Sequence, residues 1–203
     1  MNKIFTFIIF LFISLAAVSQ SFRAGVQFGI VASQVDGDNL TGYNKAGPFA
    51  GLFVNRPLGE RSSFQLEMNY IQKGSRKNAN PAKGIYDSYL MRLNYVEIPV
   101  LYKYEMKNHI GFHGGLAVAY LISHLEKDIY GPIDPASSTA PEFRDFDIDF
   151  IAGLSYNFKG PWVFVFRFSY SVIPIRDTPI QPFAYFNRPQ HNNLLLTAIQ
   201  YTF

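Results

Sequence analysis

Three aspartates alternate along one short segment, and their spacing is the clearest suggestion of cation chemistry in the chain. Asp145, Asp147 and Asp149 fall on one side of an extended segment, and alternating carboxylates resemble the start of a calcium loop. Bulky apolar residues between them favour a strand instead, and the glycine and closing glutamate of an EF-hand are missing. We therefore predict no metal site and interpret the aspartates as part of an interior polar network.

Such a network needs basic partners. If 159–161 closes a tight hairpin, Arg167 lies near Gly153, whose missing side chain leaves room for the guanidinium to reach toward Asp149. The same alternation places four more polar residues on inward positions: Glu67, Glu97, Lys103 and His113. Together they predict a plugged, charge-balanced interior, with a narrow ion path as the alternative.

The residues that could support catalysis do not form a recognisable set. Nucleophilic hydrolysis needs a base within hydrogen-bond reach of its nucleophile, but His109, His113, His124 and His191 fall on different ends or faces. No G-x-S-x-G motif occurs, and the absence of cysteine excludes disulfides, thiolate metal sites and cysteine nucleophiles. We expect neither an enzyme nor a cofactor, and keep a lipid A-modifying enzyme as a remote alternative.

Composition favours a membrane protein. Aromatic residues make up 17% of the chain, with 20 Phe and 13 Tyr against a single Trp, a bias that is ordinary where rings line membrane interfaces. The net charge of +3 is a small surplus without a basic patch, so nucleic acid is not expected as a partner.

The first residues resemble a secretory signal. Lys3 supplies the positive end, an apolar stretch follows from Ile4 to Val18, and Ala17 and Ser19 occupy the positions that a signal peptidase reads. We predict a cleaved signal peptide over residues 1–19 and one domain over residues 20–203. No later apolar run is long enough for a membrane-spanning helix, so a helical membrane protein is excluded.

Apolar and polar residues alternate with a period of two along much of the mature chain, which is typical of strands. Four strands are clear: Phe22–Ser33, Phe64–Tyr70, Phe146–Tyr156 and Trp162–Ser171. Four are weaker: Gly47–Arg56, Tyr89–Tyr104, His109–Ile122 and His191–Phe203.

The connections between these strands alternate strictly in length. Three are short: Pro57–Ser62, Glu105–Asn108 and Lys159–Pro161. Four are long: Asp36–Ala46, Gly74–Ser88, Ser123–Arg144 and Pro174–Gln190. The sequence therefore predicts an all-β fold, an eight-stranded antiparallel up-and-down transmembrane β-barrel with short periplasmic turns and long extracellular loops.

The apolar face should be the outer one, because its central positions carry almost no charge. Arg92 is the exception and should project above the bilayer. Pro99 lacks an N–H for the ladder, so we predict a bulge or local irregularity there. Aromatic residues gather toward strand ends as two candidate girdles, Tyr102, Tyr104, Tyr156, Trp162, Tyr201 and Phe203 on one side and Tyr70, Tyr120 and Tyr170 on the other. A soluble lipocalin-like barrel is the structural alternative.

Charges in the loops are the remaining signal. Arg76, Lys77 and Lys83 make the second loop basic, whereas the third is acidic through Glu126, Asp128, Asp134 and Glu142. Either loop could bind lipopolysaccharide phosphates or a partner, and solvation explains both equally well. Prolines from Pro174 to Pro182 and near Pro141 indicate irregular loops rather than added domains.

The whole mature chain resembles the PorT-like outer-membrane β-barrel proteins of the Bacteroidota. The segments that carry the resemblance are SFQLEMNYIQKGSR at Ser63–Arg76, LNYVEIPVLYKY at Leu93–Tyr104, GGLAVAYLI at Gly114–Ile122 and the aromatic ending at Phe203. The resemblance implies an eight-stranded barrel, and Phe203 with Tyr201 looks like the signal read by the barrel-assembly machinery. Some members are associated with type IX secretion, but the resemblance implies no activity and no functional residue.

From these observations we expect an exported protein of the outer membrane, in contact with outer-membrane lipid and lipopolysaccharide, with a structural or surface-interaction role. An accessory component of type IX secretion, with secretion-system proteins as partners, and a narrow ion channel are the main alternatives.

Overall fold

A computed structural model describes residues 22–133, 141–177 and 188–203 of the chain. The predicted signal peptide, residues 1–19, lies outside the described residues, as do Asp134 of the third long loop and Pro182 of the fourth. The division into a cleaved signal and a barrel domain therefore stays a prediction.

Strands make up most of the described chain. They are β1 (Arg23–Asp36), β2 (Lys45–Pro57), β3 (Ser62–Lys77), β4 (Tyr89–Glu105), β5 (Ile110–Asp128), β6 (Gly131–Pro132), β7 (Phe146–Asn157), β8 (Trp162–Ser171) and β9 (His191–Thr202). A single 3-10 turn, Pro81–Lys83, is the one helical element of the described residues, none of which form a helix long and apolar enough to cross a membrane.

Eight of these strands close into an antiparallel barrel. Every wall strand pairs with its neighbours in the chain, β4 with β5 and β5 with β7 included, and β1 pairs with β9 to complete the ring. The two-residue β6 pairs only with the end of β5 and stands outside this wall. The eight predicted strands and the predicted topology are confirmed.

The two ends of the barrel differ. Residues 58–61, 106–109 and 158–161 form tight connections at one end, which we call the short-turn end. Residues 37–44, 78–88, 129–145 and 172–190 connect the strands at the other, the long-loop end. Gly160 adopts a left-handed φ of 100° in the 158–161 turn, a conformation that a side chain would strain.

Strand β4 is irregular on both sides. Pairing with β3 stops at Leu66–Val100 and resumes at Asn69–Glu97 without a change of register, so Pro99 lies in a gap of the β3–β4 ladder, as its missing N–H requires, although it pairs with Ala117 of β5. The predicted irregularity at Pro99 is thus confirmed. The bulge itself lies elsewhere, opposite Asn94 and Tyr95, where β5 contains one extra residue around Ile122.

The alternation of side chains separates a wall that faces outward from a filled lumen. Inward positions near the long-loop end are mainly apolar and form one core that includes Val31, Val35, Ile71, Met91, Leu93, Leu194 and Leu196. Leu40, Ile133 and Phe143 pack against this core, and Ile175 is part of it, so three of the long loops cover the lumen. Polar and charged side chains occupy other inward positions at both ends of the lumen.

Candidate functional site

The outer wall is an apolar band. Along β4 the outward residues from Tyr104 to Val96 are aromatic or aliphatic, and the matching run on β5 extends from Phe112 to Ile122. These runs of 9 and 11 residues match the roughly 9 to 11 residues that a tilted strand needs to cross a bilayer. Large side chains such as Leu116 and Met68 are more than half exposed here, which suits contact with lipid chains.

Inside the barrel, one ion pair connects opposite walls near the short-turn end. Arg167 on β8 donates through Nη2 to Oε1 of Glu67 on β3 at 2.6 Å, and through Nη1 to Oε2 at 2.8 Å. The two side chains are 4% and 0% exposed. Because both guanidinium donors meet both carboxylate oxygens, the pair is bidentate and fixes its own geometry.

Amide side chains complete the hydrogen bonding of this pair. Gln27, Gln65 and Asn69 each donate to a carboxylate oxygen of Glu67, at 2.8, 2.6 and 2.9 Å. Arg167 Nε also donates to His113 Nε2 at 3.1 Å, and Lys103 Nζ donates to Gln65 at 3.1 Å. A buried charge costs several kcal/mol unless it is paired and hydrogen-bonded, and this network meets both conditions.

A second charged cluster lies farther toward the long-loop end and is centred on Lys73. Its Nζ lies 2.5 Å from Asp149, 3.2 Å from Glu97 and 3.5 Å from Asp147. Ser171 and Asn192 donate to Asp147 Oδ2 at 2.8 and 2.9 Å. One ammonium therefore holds three buried carboxylates together across three strands.

Taken together, the buried charges nearly cancel. Among the described residues, the buried cations are Lys45, Lys73, Lys103, Arg167 and Arg176, and the buried carboxylates are Asp38, Glu67, Glu97, Glu126, Asp147 and Asp149. The carboxylates exceed the cations by one, so the expected charge balance holds only approximately, and Glu67, Glu97, Lys103 and His113 all lie inward as predicted.

Two of the detailed expectations were wrong. Arg167 does lie opposite Gly153, but its guanidinium pairs with Glu67 instead of Asp149, because the lumen brings β3 within reach. Asp145 does not share the inward face of Asp147 and Asp149, since it precedes β7 and is exposed.

The partner of Asp147 and Asp149 is Lys73, which was not predicted from the sequence. It lies beyond the last residue of the strand predicted over Phe64–Tyr70. The alternation of side chains could have identified Lys73 as an inward residue, because it continues the inward series of Glu67, Asn69 and Ile71.

The long-loop end is braced by a third ion pair. Arg176 of the fourth long loop contacts Glu126 of β5 at 2.9 and 3.3 Å, and Tyr89 at the start of β4 also donates to Glu126. The guanidinium carbon of Arg176 lies 3.6 Å from the ring centre of Phe143, a residue of the third loop. Glu126, expected as part of an acidic loop, is therefore a buried anchor that ties two loops to the wall.

Asp38 is a buried carboxyl in the first long loop, outside the membrane-spanning strands. It is 0% exposed, and its Oδ1 accepts the backbone N–H of Leu40 at 2.9 Å. Burial raises the pKa of Asp38 from 3.8 to about 6, and nearby Asp36 acts in the same direction.

Aromatic side chains extend from the loop tips above this braced end. Tyr130 in the third loop is 90% exposed and Tyr86 in the second is 74% exposed. Ile129 beside Tyr130 is also exposed. A cavity of about 450 Å³ lies below the third loop and is lined by residues that include His124, Glu126, Phe143 and Arg176.

The described residues contain no group of three or more His, Asp or Glu side chains arranged to hold a metal ion. The histidines are dispersed: His113 is in the lumen, His109 is in a short turn, and His124 and His191 lie toward the long-loop end. The ring of His191 stacks on Tyr170, with centroids 5.8 Å apart.

Comparison with known proteins identifies the family of this chain. The family described as Outer membrane protein beta-barrel domain matches residues 18–177. The chain belongs to that family. A comparison with curated proteins gave no match.

Solved structures share the fold. One is Ail, the attachment invasion locus protein of Yersinia pestis, in complex with the heparin analogue sucrose octasulfate, at 13% identity and a TM-score of 0.52, covering 90% of this chain and 99% of Ail. Another is Neisserial surface protein A, at 9% identity and a TM-score of 0.53, covering 89% of this chain and 97% of that one. With the family, these likenesses establish a closed eight-stranded barrel of the outer membrane.

Proposed function

We propose that this barrel is non-conducting and that its long-loop end binds partners at the cell surface. The observation that carries the proposal is the pair of exposed tyrosines, Tyr86 and Tyr130, above an end that the Glu126–Arg176 pair holds in place. Tyrosine is enriched at protein interfaces, because a large ring gives contact area at a small cost in conformational entropy. The proposal assigns the long-loop end to the outside of the cell and gives the chain no catalytic role.

The filled lumen supports the non-conducting part. Eight-stranded barrels are just wide enough for side chains to fill them, and here an apolar core and two clusters of buried ion pairs occupy the interior. An ion crossing the barrel would have to displace Arg167 from Glu67 or pass the Lys73 cluster. Purified barrel in a planar bilayer should therefore give no steady conductance steps, and regular steps would favour the narrow ion path.

The binding part can be tested in living cells by photocrosslinking. A photoreactive amino acid at position 129 should give a discrete crosslinked product with one surface component, and Tyr130→Ser should reduce that product. The same amino acid at Met106, which is 45% exposed in a short turn, is the matched control and should not give it. No product from position 129, or the same product from both positions, would contradict surface recognition by these loops.

A role as an accessory of type IX secretion is the second candidate, supported by the resemblance of Leu93–Tyr104 to PorT-like proteins. A clean deletion that removes secreted cargo from the medium would support it. Unchanged cargo would rule it out, and unchanged acyl chains on lipid A in the same strain would rule out the lipid A-modifying alternative.

A further inference from the structure

The outward face of β3, β4 and β5 changes from apolar to polar and then to basic toward the long-loop end. Above the apolar band, Gln72, Asn94 and Ser123 stand side by side on the three strands. Gln72 donates to Asn94 at 2.9 Å, Asn94 donates to Ser123 at 2.8 Å, and the hydroxyl of Tyr70 also reaches Asn94, at 3.0 Å. This hydrogen-bonded polar belt marks the level at which the wall leaves the hydrocarbon, as Tyr at a membrane interface also indicates.

Three exposed cations lie directly above the belt. Arg92 precedes Asn94 by two residues on the same outward face of β4, which places it roughly 7 Å farther toward the long-loop end. One step higher, Arg76 of β3 and Lys127 of β5 flank Leu90 of β4 in neighbouring register. We call Arg76, Arg92 and Lys127 the basic rim.

Within the described residues, no carboxylate lies at ion-pair distance from the basic rim. None of its three residues forms an ion pair with another described residue, whereas the neighbouring Lys77 pairs with Asp87 at 2.6 Å. The rim lines a cavity of about 420 Å³ that also includes Lys45, Lys77 and Gln72, with Asp128 as the one carboxylate among its lining residues. The cavity therefore favours an anion with several oxygens.

We infer that the basic rim binds the phosphate groups of a phosphorylated glycolipid of the outer leaflet, such as lipopolysaccharide. The rim faces sideways, over the apolar band, so its ligand must lie in the plane of the membrane. A lipid places its acyl chains against the apolar band and its phosphates at the level of Arg92. The negative phosphates then face the positive side chains of the basic rim. This inference rests on the part of the proposed function that places the long-loop end outside the cell. It does not require a partner at the loop tips.

Native mass spectrometry of the detergent-solubilised barrel can measure the relative affinity for added lipid A. Wild-type protein should bind bisphosphorylated lipid A more tightly than the same lipid without its phosphates. The Arg76→Gln, Arg92→Gln, Lys127→Gln variant should lose about a hundredfold in affinity, since each cation at a charged membrane surface contributes roughly fivefold. The variant should then bind both lipids alike.

A matched control removes cations from the opposite end. Arg56→Gln with Lys107→Gln neutralises two exposed cations near the short turns and should keep the phosphate preference. The inference is wrong if wild-type protein does not distinguish the two lipids, or if the rim and control variants lose affinity equally. It is also wrong if a soluble sulfated polysaccharide displaces phosphorylated lipid A and binds the rim more tightly, because the rim would then serve a soluble polyanion. The closed lumen and the tyrosine contacts would stand in each case.

Discussion

Arg167 and Glu67 meet across the lumen although 100 residues separate them in the chain and their strands are not neighbours in the sheet. Their two hydrogen bonds, of 2.6 and 2.8 Å, join β8 to β3 and thereby brace opposite walls. Because both side chains are almost entirely buried, each charge depends on the other for its stability in the folded barrel.

Glu67→Ala should lower the free energy of unfolding by about 3 to 5 kcal/mol, because it leaves the Arg167 guanidinium buried without a carboxylate. Urea unfolding of the barrel in lipid vesicles, followed by the fluorescence of the single Trp162, measures this difference. Lys107→Ala removes an exposed cation from a short turn and is the control, with an expected change within about 0.5 kcal/mol.

The double variant Glu67→Leu, Arg167→Met tests whether the pair is coupled. Replacing both charges with apolar side chains leaves no uncompensated ion, so the double variant should be more stable than Glu67→Ala alone. If the losses of the single variants Glu67→Leu and Arg167→Met add up to the loss of the double variant, the two residues act independently.

The Arg167 pairing also shows what the sequence could and could not predict. Its position opposite Gly153 followed from counting residues across a tight turn, because pairing in a hairpin depends only on the turn. Its contact with Glu67 did not, because contacts across a lumen depend on the tilt and stagger of all eight strands. For the same reason, the sequence did not predict the contact of Lys73 with Asp147 and Asp149. The inward and outward faces of the strands, in contrast, followed from the alternation of side chains alone.

Lys73→Met should destabilise the barrel by at least about 3 kcal/mol, because it removes the only cation contacting three buried carboxylates among the described residues. Adding Asp149→Asn should recover part of this loss by removing one negative charge. Lys77→Met on the same strand is the control, since Lys77 pairs with Asp87 at a partly exposed position and surface pairs contribute about 0 to 1 kcal/mol. Equal losses for Lys73→Met and Lys77→Met would contradict the central role of Lys73.

Gly153→Ala should cost about 1 to 3 kcal/mol, because an added Cβ would lie 2.4 Å from the carbonyl oxygen of Phe166 and 2.5 Å from His113 Nε2. Gly114→Ala on the adjacent β5 is the control, since its Cβ would meet only the carbonyl oxygen of Ile151, at an ordinary 3.5 Å. The unfolding midpoint in urea compares the two variants. A loss for Gly114→Ala as large as that for Gly153→Ala would show that backbone flexibility, rather than the space beside His113, determines the effect.

Asp38 should make stability fall as pH rises between about 4 and 6. Its pKa is raised from 3.8 to about 6 by burial, so in this range the unfolded chain releases a proton that the folded protein retains. The full cost, about 3 kcal/mol, is reached above pH 6 and is absent below about pH 4, where both states are protonated. Asp38→Asn keeps an oxygen that can accept the Leu40 N–H and cannot ionise, so it should match wild type at pH 4 and be more stable at pH 7. Urea unfolding of both proteins across this range provides the comparison, since other titrating groups cancel in the difference. A difference that stays constant from pH 4 to pH 7 would show that Asp38 ionises as freely in the folded barrel as in the unfolded chain.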